Sequence, residues 1–126
     1  MIDAKDLMIG NWVMSTHPAM PRPIKVTEIG KNDIGYNNGI LSISYIEPIT
    51  ITPEILEKNG FKKNGESYFL FHDFYDLEVK EESDGMWLVA LDDCEFNLPR
   101  SQVLVSHVHQ LQHALQLFGT GKEIEL

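Results

Sequence analysis

A chain of 126 residues, 43% apolar and 10% aromatic, is long enough to close a core without disulfides or metals, and a net charge of −9 excludes the usual nucleic-acid binder. The single cysteine, Cys94, permits no internal disulfide, the start Met-Ile-Asp-Ala-Lys-Asp lacks a secretory pattern, and no apolar run approaches the ~18 residues that span a bilayer. A cytoplasmic protein with no membrane partner is therefore expected, and disorder only at the ends.

The first fifty residues alternate as short strands between turns: Gly10 to Met14, Ile24 to Ile29, Asp33 to Tyr36, a segment with Leu41, Ile43 and Tyr45 on one face, and Ile49 to Thr52. Asn37-Asn38-Gly39 suits a turn with left-handed backbone positions. Five short strands predict a small curled sheet like the SH3 barrel. "TPEILEKNG" is a short helix, with Thr52 as cap, Pro53 in the first turn, Glu54 at the positive dipole end and Asn59-Gly60 as stop; Ile51 and Leu56 stand as a hydrophobic staple.

Antiparallel strands follow. Phe61 to Lys63 pairs with Ser67 to His72 across Asn64-Gly65, Tyr75 to Lys80 alternates, Asp84-Gly85 turns, Met86 to Leu91 is apolar enough to be central, and Cys94, Phe96 and Leu98 share a face. The closing helix carries an apolar stripe of Val108, Leu111, Leu115 and Phe118, begins at a cap on Ser106 (or earlier, at Ser101) and ends at Gly119, and Glu123 to Leu126 adds an edge strand. The fold class is α+β in one domain of two lobes: 1–51 as the SH3-like β lobe, 52–60 as connecting helix, and 61–126 as antiparallel sheet plus helix.

Charge is uneven. Residues 1–63 carry seven Lys/Arg against seven Asp/Glu, and residues 64–126 carry three against twelve. No cationic cluster invites a polyanion, whereas a basic protein partner is compatible with the acidic second half.

His109-Gln110-Leu111-Gln112-His113 comes close to the zinc-protease pattern His-Glu-x-x-His, which makes His109 and His113 the candidate metal ligands of a metal-dependent hydrolase. Turning about 100° per residue from Val108 places both on one exposed flank. Gln110, however, has no basicity to take a proton from metal-bound water, and no third ligand follows at the usual spacing. The two imidazoles are read as solvent-facing side chains, and His107, at the positive helix start, as a half-buried neutral one.

His72, Asp73 and Asp76, and Asp92, Asp93 and Glu95 around Cys94, are read as turn and solvated residues, and the thiol as a buried small apolar group. Gly119-Thr120-Gly121-Lys122 has the letters of a phosphate loop but follows a helix, at its negative end. "HPAMPRP" is a stiff connector or a contact loop, in which Arg22 is the partner-binding candidate, and "YFLFHDFY" offers Phe69, Phe71, Phe74 and Tyr75 as a contact patch. Trp12 and Trp87 are expected in the core. A site for a small ligand, such as a signalling nucleotide, would need cationic and aromatic groups together, for which Arg22, Lys25 and Trp12 are the loose candidates.

Three blocks, "IGNWV", "ITPEILEKNGF" and "HVHQLQHALQLFG", occur in an order and spacing that resemble a set of small proteins, without an assigned activity, of gut bacterial genomes and of their phages and mobile elements. The resemblance implies an accessory genetic context and brings no catalytic residue or cofactor. The expectation is thus a non-enzymatic protein, without cofactor, acting by contact with another protein, as a monomer or as a dimer through an open sheet edge.

Overall fold

Alternating apolar side chains set one buried face on most early strands, and the backbone bonds decide which strands share a sheet. The computed structural model describes residues 2–37, 39–72, 75–93 and 100–126. Cys94, Asp73, Phe74, Glu95 and the strand expected over Cys94 to Leu98 lie outside the described residues. The fold is mixed α+β, with antiparallel sheets and two α-helices. The chain forms two compact units, Met1–Thr50 with His107–His109, and Ile51–Ser106 with Gln110–Leu126.

In the first unit the strands are β1 (Trp12–Ser15), β2 (Pro23–Lys25), β3 (Glu28–Ile29), β4 (Asp33–Tyr36), β5 (Gly39–Ser42) and β6 (Ile46–Glu47). They form two three-stranded sheets, β2-β1-β6 and β3-β4-β5. The expected single strand from Ile24 to Ile29 is divided between them. Val26 N–H donates to Asn11 O at 2.9 Å, while Thr27 N–H donates to Gly35 O at 2.8 Å, so the chain leaves one sheet and joins the other between adjacent residues. Ile2, Leu7, Val13, Ile24, Val26, Ile34, Leu41 and Ile46 make the core of this unit.

Two other expectations are corrected here. Ile43–Tyr45 is a 3-10 turn rather than strand, because Ser42 caps it, its hydroxyl accepting from Ser44 N–H. The extended run expected from Ile49 to Thr52 is reduced to one bridge, Thr50 opposite His107, and Ile49 O accepts from Val108 N–H at 2.8 Å.

The second unit begins with α1 (Pro53–Lys58), whose start is as expected: Thr52 Oγ1 accepts from Ile55 N–H at 3.3 Å. β7 (Lys62–Asn64), β8 (Ser67–Phe71), β9 (Tyr75–Ser83), β10 (Met86–Asp93) and β11 (Ser101–Val105) then build an antiparallel sheet in the order β11-β10-β9-β8-β7. The apolar segment from Met86 pairs on both sides, as its composition requires. One face of the sheet buries Tyr68, Leu77, Val79, Trp87, Val89 and Val105, and cross-strand register puts Phe69, Glu78, Lys80 and Leu104 on the other.

α2 (Val108–Leu117) closes the chain, with Val108, Leu111, Ala114 and Leu115 buried. The tail beyond it is not an edge strand. Asn59 holds it instead: its side-chain amide donates to Ile55 O and Glu125 O, and its Oδ1 accepts from Glu125 N–H. Ile124 is buried beside this clamp.

Candidate functional site

A sheet edge exposes N–H and C=O groups that another chain can bond, and natural sheets defend their edges with charge. The two edges of the second unit differ in this respect. β7 carries Lys62 and Lys63, both exposed. β11 carries Val103 and Leu104, exposed at 36% and 53%, with no charged residue between Ser101 and Val105. Leu117, exposed at 81%, stands off the buried stripe of α2. Val103, Leu104, Gln110, His113, Ala114 and Leu117 line a shallow groove of about 250 Å³ between β11 and α2.

The helix that forms one wall is started by its own glutamine. Gln110 Oε1 accepts from Ser106 N–H at 2.8 Å and from the Ser106 hydroxyl at 3.0 Å, satisfying an N–H at the helix start for which the helix itself offers no acceptor. The residue at the zinc-protease base position is thus a capping residue, not an exposed one. At the other end Thr120 N–H and its hydroxyl both donate to Leu115 O, so the phosphate-loop letters serve as a helix stop.

The histidine pair is not the exposed flank expected. His109 is buried, at 6% exposure, whereas His113 is half-buried in the groove wall. Rotation about the helix axis alone misplaces His109, because the first turn of α2 is bonded to Ile49 and adjoins the Thr50 bridge, which widens the buried arc there. His107 and His109 rings lie nearly parallel at 6.0 Å. Burial holds His107 below its ordinary value of 6.5, favouring the neutral imidazole. Among the described residues no group of three or more His, Cys, Asp or Glu is placed to hold a metal ion.

The aromatic candidates separate. Phe69 and Phe71 stack at 5.6 Å with Phe71 exposed at 64%, so this pair is presented to solvent. Tyr75 has internal work: its hydroxyl donates to Thr120 O at 2.9 Å and its ring stacks on His72. On the same face as Phe69, Glu78 accepts from the Ser67 hydroxyl at 2.5 Å and pairs with Arg100, which also reaches Asp92 at 3.5 Å. The Ser67 bond, then Arg100, holds the Glu78 carboxyl below its ordinary value against the opposing effect of burial.

In the first unit Arg22, Lys25 and Trp12, separate candidates in sequence, line one cleft together with Tyr36 and Asn37. Trp12 is half-buried rather than a core anchor, since strand alternation gives the core side of β1 to Val13 and Ser15. Trp87 is buried as expected, at 3% exposure.

Sequence reasoning missed the β11 groove because its walls, though consecutive in sequence, face each other only when α2 folds back beside β11; Leu117, apolar yet off the helix stripe, was the available signal. No family model, curated protein or solved structure matches the chain. No helix of the described residues is long and apolar enough to cross a membrane.

Proposed function

We propose that the chain is a non-enzymatic accessory protein that acts by binding an extended segment of another protein along β11, in the groove against α2. The observation that carries this is the undefended edge: Val103 and Leu104 exposed on the two faces of a terminal strand, with Leu117 lining the groove that the strand shares with the helix, while β7 at the opposite end is guarded by lysines. An added strand would bond the free side of β11 and set alternate side chains in the groove. Charge selects its composition. The second unit carries fourteen Asp/Glu against six Lys/Arg, a net −8 of the chain's −9, so the bound segment alternates apolar residues with Lys or Arg.

We further read the first unit as an SH3-like β lobe. Supporting this are the strand path shared by two sheets at Val26–Thr27 and the 3-10 turn that precedes the last strand. The three sequence blocks that resemble gut bacterial and mobile-element proteins support an accessory role, and the lone Cys94 a cytoplasmic setting.

The test is selection from a random twelve-residue peptide library on the full chain, with Leu104→Lys as counter-selection. Recovered peptides should alternate apolar and basic residues, shift the amides of 101–105 and 110–117 in NMR spectra, and lose binding in Leu104→Lys at unchanged melting temperature. Peptides that bind Leu104→Lys equally well would refute the site. Dimers of the unmodified chain that Leu104→Lys dissociates would show that the edge pairs with a second copy instead.

A further inference from the structure

The first unit carries a cleft of its own, and its charge is positive. Of the four Lys/Arg in the first unit, two, Arg22 and Lys25, line it, and no carboxylate does. Among the described residues neither cation makes a salt bridge, in a protein with nineteen Asp/Glu available. The remaining wall is aromatic. Trp12 is opposite Lys25 in the β1–β2 register, and the ammonium stands 5.9 Å from the center of its ring. Tyr36 rests against Gly39, where a Cβ would meet the phenol oxygen at 3.2 Å, so the glycine leaves space for this ring to lie close to the backbone.

We propose that this cleft binds a small organic anion made of one planar ring and one phosphoryl or carboxylate group. Arg22 offers a planar fork of N–H donors that matches either group, and Lys25 adds a second charge, while Trp12 and Tyr36 provide flat apolar surface for the ring. Size decides the number of rings. The cleft is about 180 Å³, below the roughly 300 Å³ at which sites for larger ligands begin, so it admits one planar ring rather than a fused pair. Two sources share this chemistry, a pyrimidine nucleoside monophosphate and a simple aryl phosphate or carboxylate. The site goes beyond the edge-binding reading and stands without it.

The experiment is an NMR titration of the full chain with uridine monophosphate, phenyl phosphate, benzoate and inorganic phosphate. Saturable shifts of the Trp12 indole and of the amides of Arg22, Ile24, Lys25, Tyr36 and Asn37 are expected with at least one ring-bearing anion. Arg22→Gln and Lys25→Gln, both at exposed positions, should each weaken it by about tenfold or more at unchanged melting temperature. Gly39→Ala, which displaces Tyr36, should weaken the ring-bearing anions and leave any response to inorganic phosphate as it was. Binding of uridine monophosphate alone assigns the nucleotide source; binding of phenyl phosphate or benzoate without it assigns the aryl anion. Inorganic phosphate binding as tightly as phenyl phosphate would overturn the proposal, as would no saturable shift at these residues with any of the four.

Discussion

Replacing Asn59 by alanine removes the clamp on the C-terminal tail, and the structure gives the size of the effect. Three bonds are lost, from Nδ2 to Ile55 O and Glu125 O at 2.8 Å each and from Glu125 N–H to Oδ1 at 2.7 Å. At about 1 kcal/mol net for each, the direct loss is roughly 3 kcal/mol. If the tail detaches, Ile124, only 2% exposed, leaves its site as well and adds about 2 kcal/mol, so the loss lies between about 3 and 5 kcal/mol. Urea denaturation in a Trp12→Phe background reads Trp87, in the second unit, as the sole tryptophan. The midpoint should fall by roughly 1–3 M at unchanged slope. Asn59→Asp should be no milder, since a carboxylate then faces two carbonyl oxygens. A loss under about 0.5 kcal/mol, with the amides of Ile124 and Glu125 still protected from hydrogen exchange, would refute the reasoning.

Glu78 has its pKa lowered below 4.5 by Ser67 and Arg100, so it contributes stability that is present above 4.5 and lost as pH falls through the folded value. Glu78→Gln should therefore flatten the acid limb of the stability curve measured by urea titration between about pH 5 and pH 3. Gly60, at φ +90° behind α1, would place a Cβ 3.6 Å from Leu70 Cδ1, an ordinary contact; Gly60→Ala should cost about 1–2 kcal/mol in melting experiments through the left-handed backbone alone. Calorimetric titration with zinc should show no uptake that His113→Ala abolishes, because His109 is buried while His113 lines the groove.

Features set by neighbors in sequence were legible. Thr52, Pro53 and Asn59-Gly60 define α1 by local bonds, and the Gly65 and Gly85 turns follow from backbone that L side chains rarely adopt. The apolar run from Met86 announces a strand paired on both sides. What depended on distant partners was not legible. Alternation cannot distinguish strand from 3-10 turn at Ile43–Tyr45, where the Ser42 cap decides, or show that Val26 and Thr27 bond to different sheets. The tail reads as a strand in isolation, whereas a buried asparagine on another element claims its backbone. For the candidate sites, residue types were legible and grouping was not: Arg22, Lys25 and Trp12 meet only because β1 and β2 pair, and Val103 and Leu117 line one groove only because α2 folds back beside β11.

The division of charge gives the two proposed sites different ligands. The first unit is close to neutral, with five Asp/Glu against four Lys/Arg, and sets two of its cations beside aromatic rings. The second holds almost all the net negative charge, and its undefended edge has no charge of its own. Long-range attraction to the second unit therefore favors basic segments, but orientation and tight fit must come from β11 backbone bonds and the apolar groove. Salt should then slow association at the edge more than it speeds dissociation. At the cleft the anion contacts the cations directly, so salt should weaken equilibrium binding itself. A single salt series read as rates for a peptide and as affinity for a small anion separates the two.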